Sequence, residues 1–284
     1  MKNQTFGVEI ELTGITRKKA AQVIADYFGT ENFYIGTHYD TYGARDGEGR
    51  TWKAMSDSSI RIEGGQEVEI VTPVLRYSDI EDLQEIVRKL RRAGAKANNT
   101  CGIHIHIGSE KHTAKTLSNL VNIMTSKQNL IYTVLGIKPE RERYCLKLES
   151  ELSEKIRKIK PDTLEKMADI WYDGYYDDRN AHYNSSRYHC LNLHSVFTKG
   201  TVEFRLFNST THAGKIKAYI QFCLAVNNQA LTQKSASARI TETTNPKYTF
   251  RTWLLRLGLI GEEFKTARLH LLANLDGNIA WRNA

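Results

Sequence analysis

The chain has little of what marks an exported or membrane-held protein. It holds no apolar run approaching the ~18 residues of a membrane span, and its first residues show neither the charged start nor the apolar middle of a secretory signal. The expectation is a soluble protein kept in the cytoplasm, with no membrane partner. Cysteine is also scarce: Cys101, Cys145, Cys190 and Cys223 have no Cys-x-x-Cys spacing. In a chain of this size they read as reduced thiols rather than a disulfide framework. Internal repeats and low-complexity segments are lacking, which excludes solenoids and compositionally disordered chains. Charge of one sign does not dominate either. Forty Lys and Arg stand against 32 Asp and Glu, a net of +8. The basic residues are scattered, and in the densest part, Arg141 to Lys160, glutamates are interleaved as on a solvated helix. Nucleic acid is therefore the minor reading, although the same charge would assist an anionic nucleotide or an acidic substrate. With 284 residues and 40% hydrophobic content, the chain can bury a large core, and a single domain over 1–284 is expected.

What the chain does have is alternation with a period of two. In CGIHIHIG, Cys101 to Gly108, Ile103, Ile105 and Ile107 line one face of an extended strand while His104 and His106 share the other. FGVEIEL, Phe6 to Leu12, sets Phe6, Val8, Ile10 and Leu12 against Gly7, Glu9 and Glu11. EVEIV, Glu67 to Val71, sets Glu67 and Glu69 against Val68 and Ile70, and TVEFRLF, Thr201 to Phe207, sets Glu203 and Arg205 against Val202, Phe204 and Leu206. A fifth stretch, CLNLHSV from Cys190 to Val196, sets Leu191 and Leu193 against Asn192 and His194. An ordinary wet face draws on Lys, Thr, Ser and Gln, whereas these strands offer five glutamates with histidines and one arginine. Gathered on one sheet, such carboxylates would repel one another unless cations sit among them, so the pattern points to bound divalent metal. Oxygen-rich coordination favours Mg²⁺ or Mn²⁺ over Zn²⁺.

Between the strands run helical patterns. One spans Thr16 to Phe28, with Thr16 as N-cap and Gly29 beyond its end. A capping box, Ser78-Asp-Ile-Glu81, opens another through Ile80, Leu83, Val87 and Leu90 to near Gly94. Further stripes cover Thr116 to Leu135, closing at Gly136, then Ile216 to Leu231, with one or two helices within Phe250 to Leu275. Strands of this kind without regular βαβ spacing predict an α+β fold, a mainly antiparallel curved sheet with helices on its convex side. Two stretches, Gly36 to Gly49 and Trp171 to Tyr188, read as long polar, aromatic loops suited to substrate recognition.

FGVEIEL, the WKAMSDSSI stretch from Trp52, EVEIVTPVL, CGIHIHIG, RERYC at Arg141, RYHCLNLHS at Arg187 and TVEFRLFNST occur in one order. That order resembles the amidoligases, members of the carboxylate–amine ligase superfamily with glutamine synthetase and glutamate–cysteine ligase. The resemblance spans roughly Phe6 to Leu231, leaving 232–284 as a C-terminal helical part. It implies a glutamine-synthetase-like sheet forming an active-site funnel, which holds ATP and Mg²⁺ (or Mn²⁺). There a small-molecule or peptide carboxylate is phosphorylated and then attacked by an amine. By motif, Glu9 and Glu203 with one histidine of the pair would hold the metal beneath the ATP phosphates, and Glu11, Glu67 and Glu69 the metal on the acceptor side. His104 is assigned to the metal set, and His104, His106, Arg205 and Asn192 to the nucleotide site. Arg205, with Arg143 and Arg187, would neutralise the transferring phosphoryl group. Asp57 and Asn192 are further substrate or metal contacts. The chain lacks the length of glutamine synthetase and any match to its subunit-contact loops, so oligomeric state stays open. A metal-dependent hydrolase would use the same carboxylates and His-x-His to activate water, and a basic nucleic-acid-binding module is the remaining alternative.

Overall fold

The computed structural model describes residues 1–280. Eight strands form one open sheet: β1 (Phe6–Ile15), β2 (Asn32–Gly36), β3 (Thr41–Arg45), β4 (Thr51–Met55), β5 (Gln66–Val71), β6 (Gly102–Gly108), β7 (Leu191–Asn192) and β8 (Thr201–Asn208). Their order is β2-β3-β4-β5-β1-β6-β8-β7, and every pairing is antiparallel. The four strands with the clearest alternation, β5, β1, β6 and β8, are neighbours at its centre.

Their apolar residues do what a period of two requires. Phe6, Val8, Ile10, Leu12, Val68, Ile70, Ile103, Ile105, Ile107, Val202 and Phe204 are all buried in one continuous apolar cluster with the helices Arg17–Phe28, Ile80–Arg92, Ala114–Leu135 and Ala213–Thr232. Each such side chain contributes about 1.5–3 kcal/mol by leaving water, so register is fixed wherever this face is covered. The helices Pro246–Arg256 and Lys265–Leu271 extend the same cluster through Phe250, Leu254 and Leu271. No helix among the described residues is long and apolar enough to cross a membrane.

Helix ends follow local chemistry. Thr16 accepts a hydrogen bond from Lys19 N (3.2 Å), and Gly29 closes that helix at φ 69°. Thr113 rather than Thr116 caps the long third helix, with Thr116 completing the box. The Ser78 box is corrected: Asp79 is the acceptor, taking Arg76 N–H at 2.8 Å, and a turn of 3₁₀ helix over Tyr77–Asp79 precedes the α-helix.

Two other expectations change. The fifth strand is only Leu191–Asn192, because Asn192 Oδ1 accepts His194 N–H (2.8 Å) and turns the chain into a helix over His194–Lys199. Gly36 to Gly49 is not a loop throughout, since β3 lies within it and pairs with β2 and β4. The turn from β3 to β4 closes on Asp46, whose carboxylate accepts from Glu48 N, Arg50 N, Arg50 Nε and Trp52 Nε1 at 2.8–3.1 Å.

Candidate active site

Pairing register carries the polar residues into a grid. On β1 and β5, Glu11 lies opposite Glu69; on β1 and β6, Glu9 lies opposite His104; on β6 and β8, His106 lies opposite Glu203. A bulge on β8 lets Arg205 and Leu206 together face His104 before pairing resumes at Ile103 and Phe207. Without it Phe207 would point into the polar face. Instead it is buried with the helices and stacks on Tyr219 at 4.5 Å between ring centroids.

The ligand atoms fall into three overlapping groups, each spanning no more than 4.8 Å: Glu9, His106 and Glu203; Glu9, Glu69 and His104; Glu11, Asp57 and Glu69. Glu9 is shared by the first two and Glu69 by the last two, so the groups form a line. His104 Nδ1 lies 3.0 Å from Glu9 Oε2, and its Nε2 lies 3.6 Å from Glu11 Oε1. His106 Nδ1 meets Thr201 Oγ1 at 2.9 Å. Its Nε2 is buried without a hydrogen-bond partner among the described residues, 3.3 Å from Glu9 Oε1 and 3.8 Å from Glu203 Oε1. A buried imidazole nitrogen aimed at two carboxylates suits metal coordination, and Thr201 fixes its ring from behind.

Electrostatics divide the carboxylates. Burial alone would raise Glu9, but the His106 charge and the His104 hydrogen bond outweigh it and hold Glu9 well below the usual carboxylate range. Glu203 is similar: burial opposes ionisation, and Arg205 and His106 overcome it. Burial, then the charges of Glu9, Glu11 and Asp57, push Glu69 well above that range. Five carboxylates therefore do not all ionise together unless cations join them. The donors are mostly oxygen, with two imidazoles, and fit divalent cations at each group.

Glu9, Glu11, Asp57, Glu69 and His104 floor a cavity of about 450 Å³ walled by Tyr39, the Ser56–Ser59 stretch, Tyr144, Tyr183, Arg187 and Lys199; His106 and Glu203 line smaller cavities beside it. Tyr39 and Tyr183 hydroxyls meet at 3.2 Å, joining the two stretches read from the sequence as recognition loops. A family model described as "Putative amidoligase enzyme" matches residues 2–227. The chain belongs to this family. It is thus of the ligase type, and its motifs span the strands that build the grid. No curated protein matches it.

The remaining sequence-predicted residues of this amidoligase are placed as follows. Arg205 is buried and bonds Glu203 Oε1 through a terminal nitrogen, with Nε 3.4 Å from Tyr144 O. Asn192 Nδ2 donates to Glu203 Oε2 at 2.6 Å, orienting that carboxylate. Arg187 lines the cavity, donating to His182 O (2.8 Å). Glu67 shares the polar face but pairs with Arg17 at 3.1 Å and belongs to none of the three groups. Arg143 is exposed and lies over the Tyr144 ring, away from the cavity lining. Arg141, two residues earlier in the same motif, is the buried one; it donates to Phe207 O and Arg205 O and reaches the cavity wall. Sequence reasoning missed Arg141 because nothing in RERYC distinguishes its two arginines. Tyr39 and Tyr183 fall within the two stretches read as recognition loops, and Lys199 carries no signal in the sequence.

Proposed function

We propose that this chain is an ATP-dependent carboxylate–amine ligase that works with Mg²⁺ or Mn²⁺ through an acyl phosphate. The observation that carries this reading is the line of three ligand groups, two of them on the floor of the main cavity and the third reaching from Glu9 into the cavities beside it. Glu9, His106 and Glu203 would hold one cation; Glu9, Glu69 and His104, or Glu11, Asp57 and Glu69, would hold others. Cations bound there would neutralise phosphate charge and the repulsion between the floor and an incoming carboxylate.

The protein's own groups supply the rest. Arg205 keeps a fixed positive charge beside Glu203, positioned before any substrate arrives, so its alignment costs no reorganisation during reaction. Asn192 and Thr201 lock Glu203 and His106 in single orientations. The cavity has the size of small-molecule sites, and its walls shield an acyl phosphate from water until a small or peptide amine enters. The predominance of carboxylates favours this reading over a zinc-type hydrolase.

The test is incubation with Mg²⁺, ATP and pooled carboxylate and amine compounds, followed by chromatography of the nucleotides. We expect ADP and phosphate only when both an acid and an amine are present. AMP with pyrophosphate would rule out the acyl-phosphate route. Amide formation without ATP would rule out the ligase, and amide cleavage by zinc-loaded protein would establish the hydrolase instead.

A further inference from the structure

Four cationic side chains, Arg141, Arg187, Lys199 and Arg205, line the 450 Å³ cavity. Three are already engaged. Arg141 spans two backbone carbonyls, Arg205 is bonded to Glu203, and Arg187 donates to His182 O while packing over the rings of Tyr183 and Tyr188. Lys199 makes no side-chain hydrogen bond or ion pair among the described residues.

Its position is unusual in a second way. Two further cavities adjoin the first. One, of about 380 Å³, is bounded by Glu9, His106 and the apolar Val71–Val74 edge; the other, of about 200 Å³, is bounded by Glu203, Asn192 and His194. Lys199 is the residue common to the linings of all three. It ends the helix His194–Lys199, and Gly200, at φ 69°, turns the chain directly into β8. Its Cα is therefore held two residues from Thr201, which grips His106, while the side chain remains exposed. An ammonium on a flexible four-carbon stem can follow a moving anion, which a clamped guanidinium cannot.

Resting on the ligase reading above, we propose that Lys199 contacts the phosphate chain of the bound nucleotide where it passes over Glu9, His106 and Glu203. The argument is one of charge. Cations seated in the three ligand groups first cancel their five carboxylates. The outward-facing oxygens of a polyphosphate then need a donor from the wall, and Lys199 is the uncommitted cation adjoining that group.

The experiment compares the unaltered chain with Lys199→Met and Lys199→Arg by calorimetric titration, using Mg–ADP and, separately, Mn²⁺ alone. We expect Lys199→Met to weaken Mg–ADP binding by about tenfold or more, the loss of one charge-assisted contact. Lys199→Arg should stay within about threefold, because the charge is kept, and Mn²⁺ affinity should be the same in all three proteins. Equal Mg–ADP affinity in Lys199→Met and the unaltered chain would overturn the assignment, as would a parallel loss of Mn²⁺ binding, which would mark a general disturbance of the site. If the unaltered chain binds no Mg–ADP, the ligase reading falls and this assignment with it.

Discussion

Gly102 shows how single positions shape the site. Its N–H donates to Glu11 Oε2 at 2.6 Å, and a Cβ built on it would stand 2.3 Å from a terminal nitrogen of Arg141. The missing side chain is thus the space through which Arg141 reaches the carbonyls of Arg205 and Phe207, on the bulged part of β8. Gly102→Ala should displace that guanidinium and leave two buried carbonyls without their donor, at a cost of about 1–3 kcal/mol. Denaturant unfolding measures this directly, and a midpoint equal to that of the unaltered protein would show that Arg141 relaxes without consequence. The sequence displayed Gly102 as a bracket of the His-x-His strand. Its reason lay in a partner almost forty positions later in the chain, and no local pattern announces such a pair.

Whole elements were readable where two signals agreed. In β1, β5, β6 and β8 the alternation of residue types matches burial on one face and chemistry on the other, so both the strands and the convergence of Glu9, Glu11, Glu69, His104, His106 and Glu203 could be anticipated. Alternation failed where a side chain competed with the backbone: at Asn192, whose carbonyl captures the His194 N–H, and at the β8 bulge, which inserts a residue without changing the composition around it. The β2–β4 ribbon was hidden because β2 exposes Phe33, Tyr34 and Ile35, and because the turn joining β3 to β4 is organised by one acidic residue. Asp46 accepts four hydrogen bonds there, so Asp46→Ala should cost about 2–4 kcal/mol and loosen the edge of the sheet. Burial alone would raise its carboxyl; the bonds from Trp52 and Arg50 outweigh that and lower it. A lowered folded-state value means the stabilisation is complete above the unfolded value, near pH ~4, and is lost as pH falls through the folded one. Melting curves of the unaltered protein and Asp46→Asn should therefore differ most near neutrality and converge in acid. A gap that widens on acidification would contradict this account.

On the scale of the molecule, the net charge of +8 conceals a segregation: the surface is basic overall while four carboxylates gather on the floor of the main cavity and a fifth, Glu203, beside it. This arrangement has consequences for stability as well as for binding. With the floor free of cations, Glu69 is pushed well above the ordinary carboxylate range, by burial and then by Glu9, Glu11 and Asp57, so folding brings together groups that oppose one another. The unfolded chain disperses them and has no comparable cation site. Divalent metal should therefore bind the native state almost exclusively and stabilise it by mass action, about 2.7 kcal/mol at a hundredfold excess over the dissociation constant. For a protein of this length that corresponds to a rise in melting temperature of roughly 4–5 °C. Calorimetric melts with and without Mn²⁺ measure it, and Glu9→Gln, which strikes two of the three ligand groups at once, should remove most of the rise. An equal rise in that variant would place the metal elsewhere. No rise in the unaltered protein would mean that the carboxylate line holds no cation strongly enough to matter, and the ligase proposal would lose its physical basis.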